Sequence, residues 1–480
     1  MSTDEICSED MSYEECETAL LRNAVDLAQK KVNKRIVSSP DIKNMIRIVE
    51  EFIKKKNLIP YGGIAINNIL PQEDQFYDNS VDLADYDVFS TRALDDAKEL
   101  ANLFYKKGYR EIEAKAGQHY GTYKVFVNYL PVFDVTQINK TLFEAIKKEA
   151  ILVNGIRYTP PNFLRMSMYG ELSRPMGDTD RWMKVHKRLS LLNKHYPLTQ
   201  KQCSRIEFQR KMGDKQMSKD VIEEIYNTVK QTFIQQKVVF FGGYAISLYS
   251  AYMPIKMKEQ FKHIPDFDVI ADDPETTAEI IKLRLEKIPG ITDIKLIKRE
   301  SIDDVLPEHY EIKVGDDTIA FIYKPLHCYS YNVIEVEKLK IKIATIDTML
   351  SFYLSFLYAN RDYYDTDRII CMSQYLFHVQ QKNRLKQKGL LKRFSINCYG
   401  HEHTLEEMRA EKSKKFMELS KKKDTREFEE HFLNYRPGNE YKKRDGKNKT
   451  LKEPTSHTSS SEIKKEKSTK ANKTKKKRKI

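Results

Sequence analysis

Tyr61-Gly62-Gly63-Ile64-Ala65-Ile66, followed by Asp85-Tyr86-Asp87-Val88-Phe89, is the stretch on which the fold turns. The apolar run Leu58-Ile59-Pro60-Tyr61 ends in two glycines and restarts as a helix, which predicts a strand–turn–helix unit. Asp85 to Phe89 alternates polar and apolar residues, as a half-buried strand does. Both motifs return downstream, as Phe241-Gly242-Gly243-Tyr244-Ala245-Ile246 and Asp266-Phe267-Asp268-Val269. Gly63 to Asp85 is 22 positions and Gly243 to Asp266 is 23. Two motifs in the same order at a matched interval mark an internal duplication.

Outward from these motifs the pattern alternates helices and strands. Asp41 to Lys56 places Ile42, Met45, Ile46, Val49, Phe52 and Ile53 at helical spacing. Ala93 to Lys107 reads as a helix stopped by Gly108, and Thr122–Tyr129 and Val132–Ile138 as strands about a turn. In the second copy, helices are predicted over Val221–Gln235 and Thr276–Lys287. Trp182–Asn193 lies between the copies, and Ala344–Tyr358, Asp367–Gln381 and Glu406–Ser420 follow the second. The expected fold class is α/β (α+β), with two related units in tandem. The expected domains are an acidic helical extension over 1–36, a first unit over 37–200, a second over 201–435, and a disordered polybasic tail over 436–480.

Charge is distributed unevenly. The 480 residues hold 83 Lys+Arg and 69 Asp+Glu, a formal charge of +14. Residues 441–480 alone hold 16 basic and four acidic side chains, so the remaining body is close to neutral. That excludes a uniformly basic coat protein and reads the tail as an electrostatic tether for RNA. At 40% apolar the body has enough to bury a core. No apolar run reaches the roughly 18 residues of a membrane span. The nearest, Thr345–Tyr358, carries Asp347. The acidic N-terminus lacks the pattern of a signal peptide. Cys7, Cys16, Cys203, Cys328, Cys371 and Cys398 form no CxxC pair, which predicts free thiols in a reducing compartment.

Three features of the first unit belong to one chemistry. Asp85 and Asp87, two apart on a strand, share a face. Asp134, on a neighbouring strand, completes a carboxylate cluster that repels itself unless cations bind. All-oxygen ligands with open positions suit Mg²⁺ shared with substrate phosphates. Two such ions align an attacking oxygen, a phosphorus and a leaving oxygen. Gly62 and Gly63 allow close backbone approach, and the helix that follows offers free N–H groups to phosphate. The reading is transfer of a nucleotide from a nucleoside triphosphate.

This constellation resembles the nucleotidyltransferase superfamily that includes DNA polymerase β and the poly(A) polymerases. The segments YGGIAINNIL, DYDVFS, PPNFLRMSMYGELSRP and RWMKVHKRLSLLNKHYP resemble the poly(A) polymerase catalytic subunits of poxviruses and giant DNA viruses. So do IKIATIDTMLSFYLSFLYANRDYYD and QYLFHVQQKNRLKQKGLLKRFSINCYGHEHTLEEMR. The resemblance runs from about Phe52 to Leu419 and leaves out the acidic start and the tail. It implies tandem nucleotidyltransferase-like domains, template-independent addition of AMP from ATP to the 3′ end of mRNA, and two Mg²⁺ or Mn²⁺ ions. It further implies a homodimer or a viral processivity subunit as partner, no membrane, and the virion and host cytoplasm as location. Residue by residue, Asp85, Asp87 and Asp134 match the catalytic metal ligands, and Gly62 and Gly63 the triphosphate-facing turn. The alternatives are a terminal transferase of other nucleotide choice, or a non-catalytic RNA-binding scaffold.

The second copy departs from the pattern. Asp266 and Asp268 persist, but Ile319-Ala320-Phe321-Ile322-Tyr323 offers no third carboxylate, so this copy is expected to be inactive. On Arg181–Asn193, the cations Arg181, Lys184, Lys187 and Arg188 read as a phosphate-binding wall or as a solvated helix face, with Lys184 and Lys187 taken as nucleotide-binding. Lys382 to Arg393 reads as a solvated basic helix end or an RNA track, and Tyr363, Tyr364 and Tyr375 as core residues rather than base-stacking platforms. Cys398, His401 and His403 lie close enough for zinc but lack a fourth ligand in register.

Overall fold

The structure is a computed structural model that describes residues 6–8, 10–37, 39–77, 85–199, 203, 206–208, 217–253 and 265–438. The polybasic tail expected over 436–480 lies, from 439 onward, outside the described residues. Residues 1–437 make one compact unit.

The first half opens with helices α1 (Tyr13–Val37) and α2 (Pro40–Lys56). Ile42, Met45, Ile48, Val49, Phe52 and Ile53 of α2 are buried, a stripe at steps of three and four. Ile46 lies at its edge, only partly covered. Asn57, at φ 52°, ends the helix in the left-handed conformation. Then come β1 (Ile59–Pro60), α3 (Gly62–Ile69), β2 (Tyr86–Ser90) and α4 (Ala93–Lys106). Three antiparallel strands follow: β3 (Ile112–Ala116), β4 (Thr122–Val127) and β5 (Leu130–Gln137). Asn128 and Tyr129, both at positive φ, form the two-residue turn between β4 and β5. On β4, Tyr123, Val125 and Val127 alternate inward. Strand β2 lies parallel to β5 and antiparallel to β1. Helix α5 (Lys140–Glu149), a hairpin of β6 (Ile151–Val153) and β7 (Ile156–Tyr158), α6 (Pro161–Leu172) and α7 (Trp182–His195) complete this half.

The second half repeats the first. Its elements run α8 (Lys219–Gln235), β8 (Val239–Phe240), α9 (Gly243–Tyr249), β9 (Phe267–Ile270), α10 (Pro274–Leu285), β10 (Ile294–Arg299), β11 (His309–Val314) and β12 (Asp317–Tyr323). The first sheet orders its strands β1-β2-β5-β4-β3 and the second β8-β9-β12-β11-β10, the same path twice. The mixed α/β fold with a duplicated core is therefore as the motif spacing predicts. The second sheet is then extended by β14 (Leu339–Ala344) and β13 (Tyr329–Val336), and by β15 (Cys398–Tyr399) pairing with β13.

Helix α11 (Ile346–Phe356) is buried along its whole length and packs on α6, joining the two halves; α12 (Thr366–Lys382) lies against it. Its one acid, Asp347, is 1% exposed and receives two hydrogen bonds from Arg393, at 2.6 and 3.2 Å. A buried charge needs that partner, so Arg393 is structural rather than part of an RNA track. Among the described residues no helix is long and apolar enough to cross a membrane. Tyr364 and Tyr375 are core residues, as expected. The chain ends its described course with α13 (Leu405–Leu419), α14 (Arg426–Phe432) and β16 (Asn434–Tyr435), which pairs with β3 in the first sheet.

The cysteines correct the sequence reading. All six are paired, as Cys7–Cys16, Cys203–Cys371 and Cys328–Cys398, with Cα atoms 5.1 to 5.3 Å apart. Two of the pairs span 168 and 70 residues, so the fold and not the spacing brings them together.

Candidate active site

The first sheet presents its glycine turn beside its carboxylates. Tyr61 N–H donates to the Asp87 carbonyl at 2.9 Å, which ties the turn to β2. Gly62 sits at φ +65°, where other residues are strained, and a Cβ there would meet Asp87 Oδ2 at 3.4 Å. A Cβ on Gly63 would strike the Tyr77 hydroxyl and come to 2.9 Å from the Arg188 guanidinium. No side chain caps α3, so its first N–H groups face the turn without an intrachain side-chain partner.

Asp87 and Asp134 are register partners on the parallel strands β2 and β5. Asp85 stands one residue before β2, on the same face as Asp87, and is exposed. Asp134 is 6% exposed, and its Oδ1 is buried with no hydrogen-bond partner. Its Oδ2 accepts from Lys124, the residue facing it on β4. The Asp87 carboxyl is pushed up to about 7, by burial first and then by the charges of Asp85 and Asp134, against the pull of Lys124 and Arg181. Burial likewise raises Asp134, which Lys124 partly offsets. Burial and the Asp87 charge also raise Tyr61, whose hydroxyl bonds Thr136 at 3.0 Å.

These features fit a hard divalent cation. Three carboxylates are held on one face at an energetic cost, and one buried oxygen lacks a partner. A lysine ammonium stands at the other oxygen as a cation would. The three are not drawn together as tightly as a metal would draw them: among the described residues, the group of three metal-binding side chains with ligand atoms within 4.8 Å is His401, His403 and Glu407.

The cationic wall on α7 is placed differently from its sequence pattern. Arg188 reaches the glycine turn, stacks over Phe76 at 4.7 Å and donates to the Tyr77 hydroxyl at 2.7 Å. Lys184 is exposed beside it, its ammonium pulled below the usual lysine range by the Arg188 charge, burial and Arg181. Lys187 is exposed, and among the described residues no hydrogen bond or ion pair ties it to the site. Lys124 carried only the alternation of an outward strand position, and nothing in the sequence marked it as the partner of Asp134.

The second copy is filled in. Asp266 and Asp268 are 2% and 6% exposed. A Cβ on Gly242 would collide with the Asp268 carboxylate, and one on Gly243 would lie 2.5 Å from Asp266 Oδ1. Where Asp87 faces Asp134 in the first sheet, Asp268 faces Phe321 in the second. The aspartates fill the space against their own glycines, and a phenyl ring stands where the first sheet has its third carboxylate.

Comparison with known proteins agrees with this geometry. Residues 47–178, which contain the turn and all three carboxylates, match the family model described as poly(A) polymerase catalytic subunit. A mimivirus protein named as a candidate for that role (Acanthamoeba polyphaga mimivirus) is 32% identical over 158 residues, 32% of this chain and 26% of that protein. A counterpart from African swine fever virus is 28% identical over 171 residues, 34% of this chain and 36% of its own length. The matches thus span only about a quarter to two fifths of these curated relatives. The crystal structure of the Megavirus polyadenylate synthase superposes with a TM-score of 0.74 at 20% identity, over 91% of this chain and 88% of that one. Over most of its length the chain therefore shares that fold, and in residues 47–178, where the carboxylates lie, it matches the family of poly(A) polymerase catalytic subunits.

Proposed function

We propose that the chain is a template-independent poly(A) polymerase that adds AMP from ATP to the 3′ end of mRNA. The observation that carries this reading is the in-register pair Asp87 and Asp134 beside the partly exposed Gly62–Gly63 turn, which the side-chain ends of Tyr77 and Arg188 cover. Asp85, Asp87 and Asp134 would hold two divalent ions, Mg²⁺ or Mn²⁺. Such ions, when bound, supply a lowered pKa for the RNA 3′-hydroxyl and neutralisation of triphosphate charge.

The side chains of the chain have their own tasks. Gly62 and Gly63, without side chains, would let phosphate oxygens approach the backbone once the ends of Tyr77 and Arg188 shift aside. Arg188 stands at that turn to neutralise them, with Lys184 and Lys187 flanking it on α7. Lys124 donates to Asp134 and partly offsets the rise that burial imposes on its carboxyl. The second copy acts as a scaffold, because its aspartates are buried against its own glycines. From the names of its relatives we extend to this chain an RNA substrate and a partner, either a second copy or a processivity subunit. We place it in the virion and the host cytoplasm.

Labelled RNA incubated with the chain, Mg²⁺ and each nucleoside triphosphate in turn tests the reading. Extension with ATP and not with GTP, CTP or UTP is expected. Equal extension with all four would make it a terminal transferase of other specificity, and none with any would make it an RNA-binding scaffold.

A further inference from the structure

We propose a second metal site, distinct from the aspartate cluster: His401, His403 and Glu407 bind one first-row divalent cation of the zinc type at the root of α13. The ligand atoms of the three side chains all lie within 4.8 Å of one another. His401 Nε2 is 3.1 Å from both carboxylate oxygens of Glu407. Tetrahedral zinc with bonds of about 2.0–2.2 Å sets its donor atoms about 3.3 Å apart. The His401–Glu407 pair already has that spacing, and His403, within 4.8 Å of both, needs to close by at most about 1.5 Å. Two imidazoles and one carboxylate select a borderline cation over Mg²⁺, and the remaining position is open to water. Glu411, whose Oε1 is 3.8 Å from His403 Nδ1, is the nearest further carboxylate.

The loop that carries the histidines is fixed from several directions. Cys398 is bonded to Cys328 and belongs to β15, which pairs with β13. Gly400, at φ +100°, packs so closely that a Cβ would strike the His327 carbonyl. Glu402 is drawn inward by Arg174, whose Nε donates at 3.2 Å, and it also accepts the Cys328 N–H at 3.3 Å. With position 402 facing in, its neighbours 401 and 403 face out, and their rings lie 5.1 Å apart. Glu407 is held in turn: its Oε2 accepts the Thr404 N–H at 2.8 Å and the Thr404 hydroxyl at 3.1 Å, which leaves Oε1 for a cation. Such outer contacts orient ligands before metal arrives.

The position gives the site a use. Helix α13 leads into α14 and β16, which return to the first sheet, and Lys412 of α13 donates to the Gly117 carbonyl at 2.7 Å. A cation bridging the His401–His403 loop to the first turn of α13 would tie that return to the second sheet.

The test is zinc chloride titrated into the chelator-stripped full chain, followed by calorimetry. One tight event is expected, retained in an Asp85→Asn/Asp87→Asn variant and weakened at least about tenfold in His401→Asn/His403→Asn. In the unmutated chain, Zn²⁺ but not Mg²⁺ is expected to slow acylation of His401 and His403 by diethylpyrocarbonate, read by peptide mass. The site is refuted if the histidine variant binds as tightly as the parent, if the event vanishes in the aspartate variant instead, or if acylation of both histidines ignores zinc.

Discussion

The two copies of the carboxylate motif differ in what surrounds them more than in their sequence. In the first, Asp85 is exposed, Asp87 is half-buried, and the glycine turn beside them is partly exposed, covered only by the movable ends of Tyr77 and Arg188. In the second, both aspartates are buried and fill their own glycine turn. The strand register reduces the difference to one position, Asp134 against Phe321. A site for a charged substrate must keep its charges partly wet and leave a space. A duplicated domain released from that duty can close the space and gain packing. The contrast teaches that a retained motif is a statement about ancestry, and that access and the third ligand decide chemistry.

The comparison breaks most decisively on activity. Asp87→Ala or Asp134→Ala is expected to lower nucleotide addition by roughly a thousandfold or more, ~4 kcal/mol of transition-state stabilisation. Asp266→Asn with Asp268→Asn should leave addition within a few-fold of the parent in a folded chain. Equal losses in the two variants, measured as single-nucleotide extension rates, would erase the distinction between the copies.

The glycines separate the copies next. Gly242→Ala forces a methyl into a buried carboxylate and should cost about 3 kcal/mol of stability by overpacking, read from urea midpoints. Gly63→Ala meets the ends of Tyr77 and Arg188, which can move, so it should weaken ATP use while shifting the midpoint little.

Acid offers a third test, of the sealed interior alone. His309, on β11, is fully buried; its Nδ1–H donates to the Pro307 carbonyl and its Nε2 accepts from the Tyr363 hydroxyl at 3.0 Å. Burial, the largest influence, pushes the ring from 6.5 down to about 4. The unfolded chain therefore takes up a proton over that window while the folded chain does not. The contribution of His309 to stability is complete above pH 6.5 and is lost as the pH drops toward 4, by about 2–3 kcal/mol. The stability difference between the parent and His309→Gln, read by denaturation at pH 7 and at pH 4.5, should shrink by this amount, because the opposite trend of the raised Asp87 carboxyl is common to both chains; nucleotide addition at pH 7 should be unaltered.

The smallest expected effect sharpens the first site. Arg188→Ala should raise KM for ATP about tenfold, ~1.4 kcal/mol, with less change in kcat. A larger effect from Lys187→Ala than from Arg188→Ala would mean that another face of α7 meets the triphosphate.

Much of this was legible in the sequence because it rests on local rules. Glycine pairs mark turns, DxD on a strand fixes a common face, and a strand that lacks an acid at the matching place announces a lost ligand. Asp87 and Asp134 needed only those rules to be placed on neighbouring strands, with Asp85 just before the first of them. What stayed hidden depends on contacts between distant segments. Whether Arg188 or Lys187 meets the turn is decided by how α7 rolls against Phe76 and Tyr77, which helical spacing does not specify. The free thiols expected from scattered cysteines fail for the same reason, since Cys203 and Cys371 meet only after both halves have folded. Glu407 was invisible as a ligand because its capping of α13 already explains its presence.

The last described strand has a consequence in time. Edge strand β3 is covered by β16, so Lys115 pairs with Asn434 across some 300 residues of intervening chain. The cover is secured by Lys98 to Glu429 at 2.6 Å, Tyr123 to the Glu430 carbonyl at 3.0 Å and Tyr435 to Asn102 at 2.8 Å. At ribosomal speeds of about 5–20 residues per second, that stretch takes roughly 15–60 s to synthesise. For that interval the first sheet stands with an open edge, a template for pairing with any neighbouring chain. Completion of the first sheet is thus deferred until residues 434–435 have been made, so a message truncated before codon 434 yields every carboxylate of the site on a sheet without its edge cover.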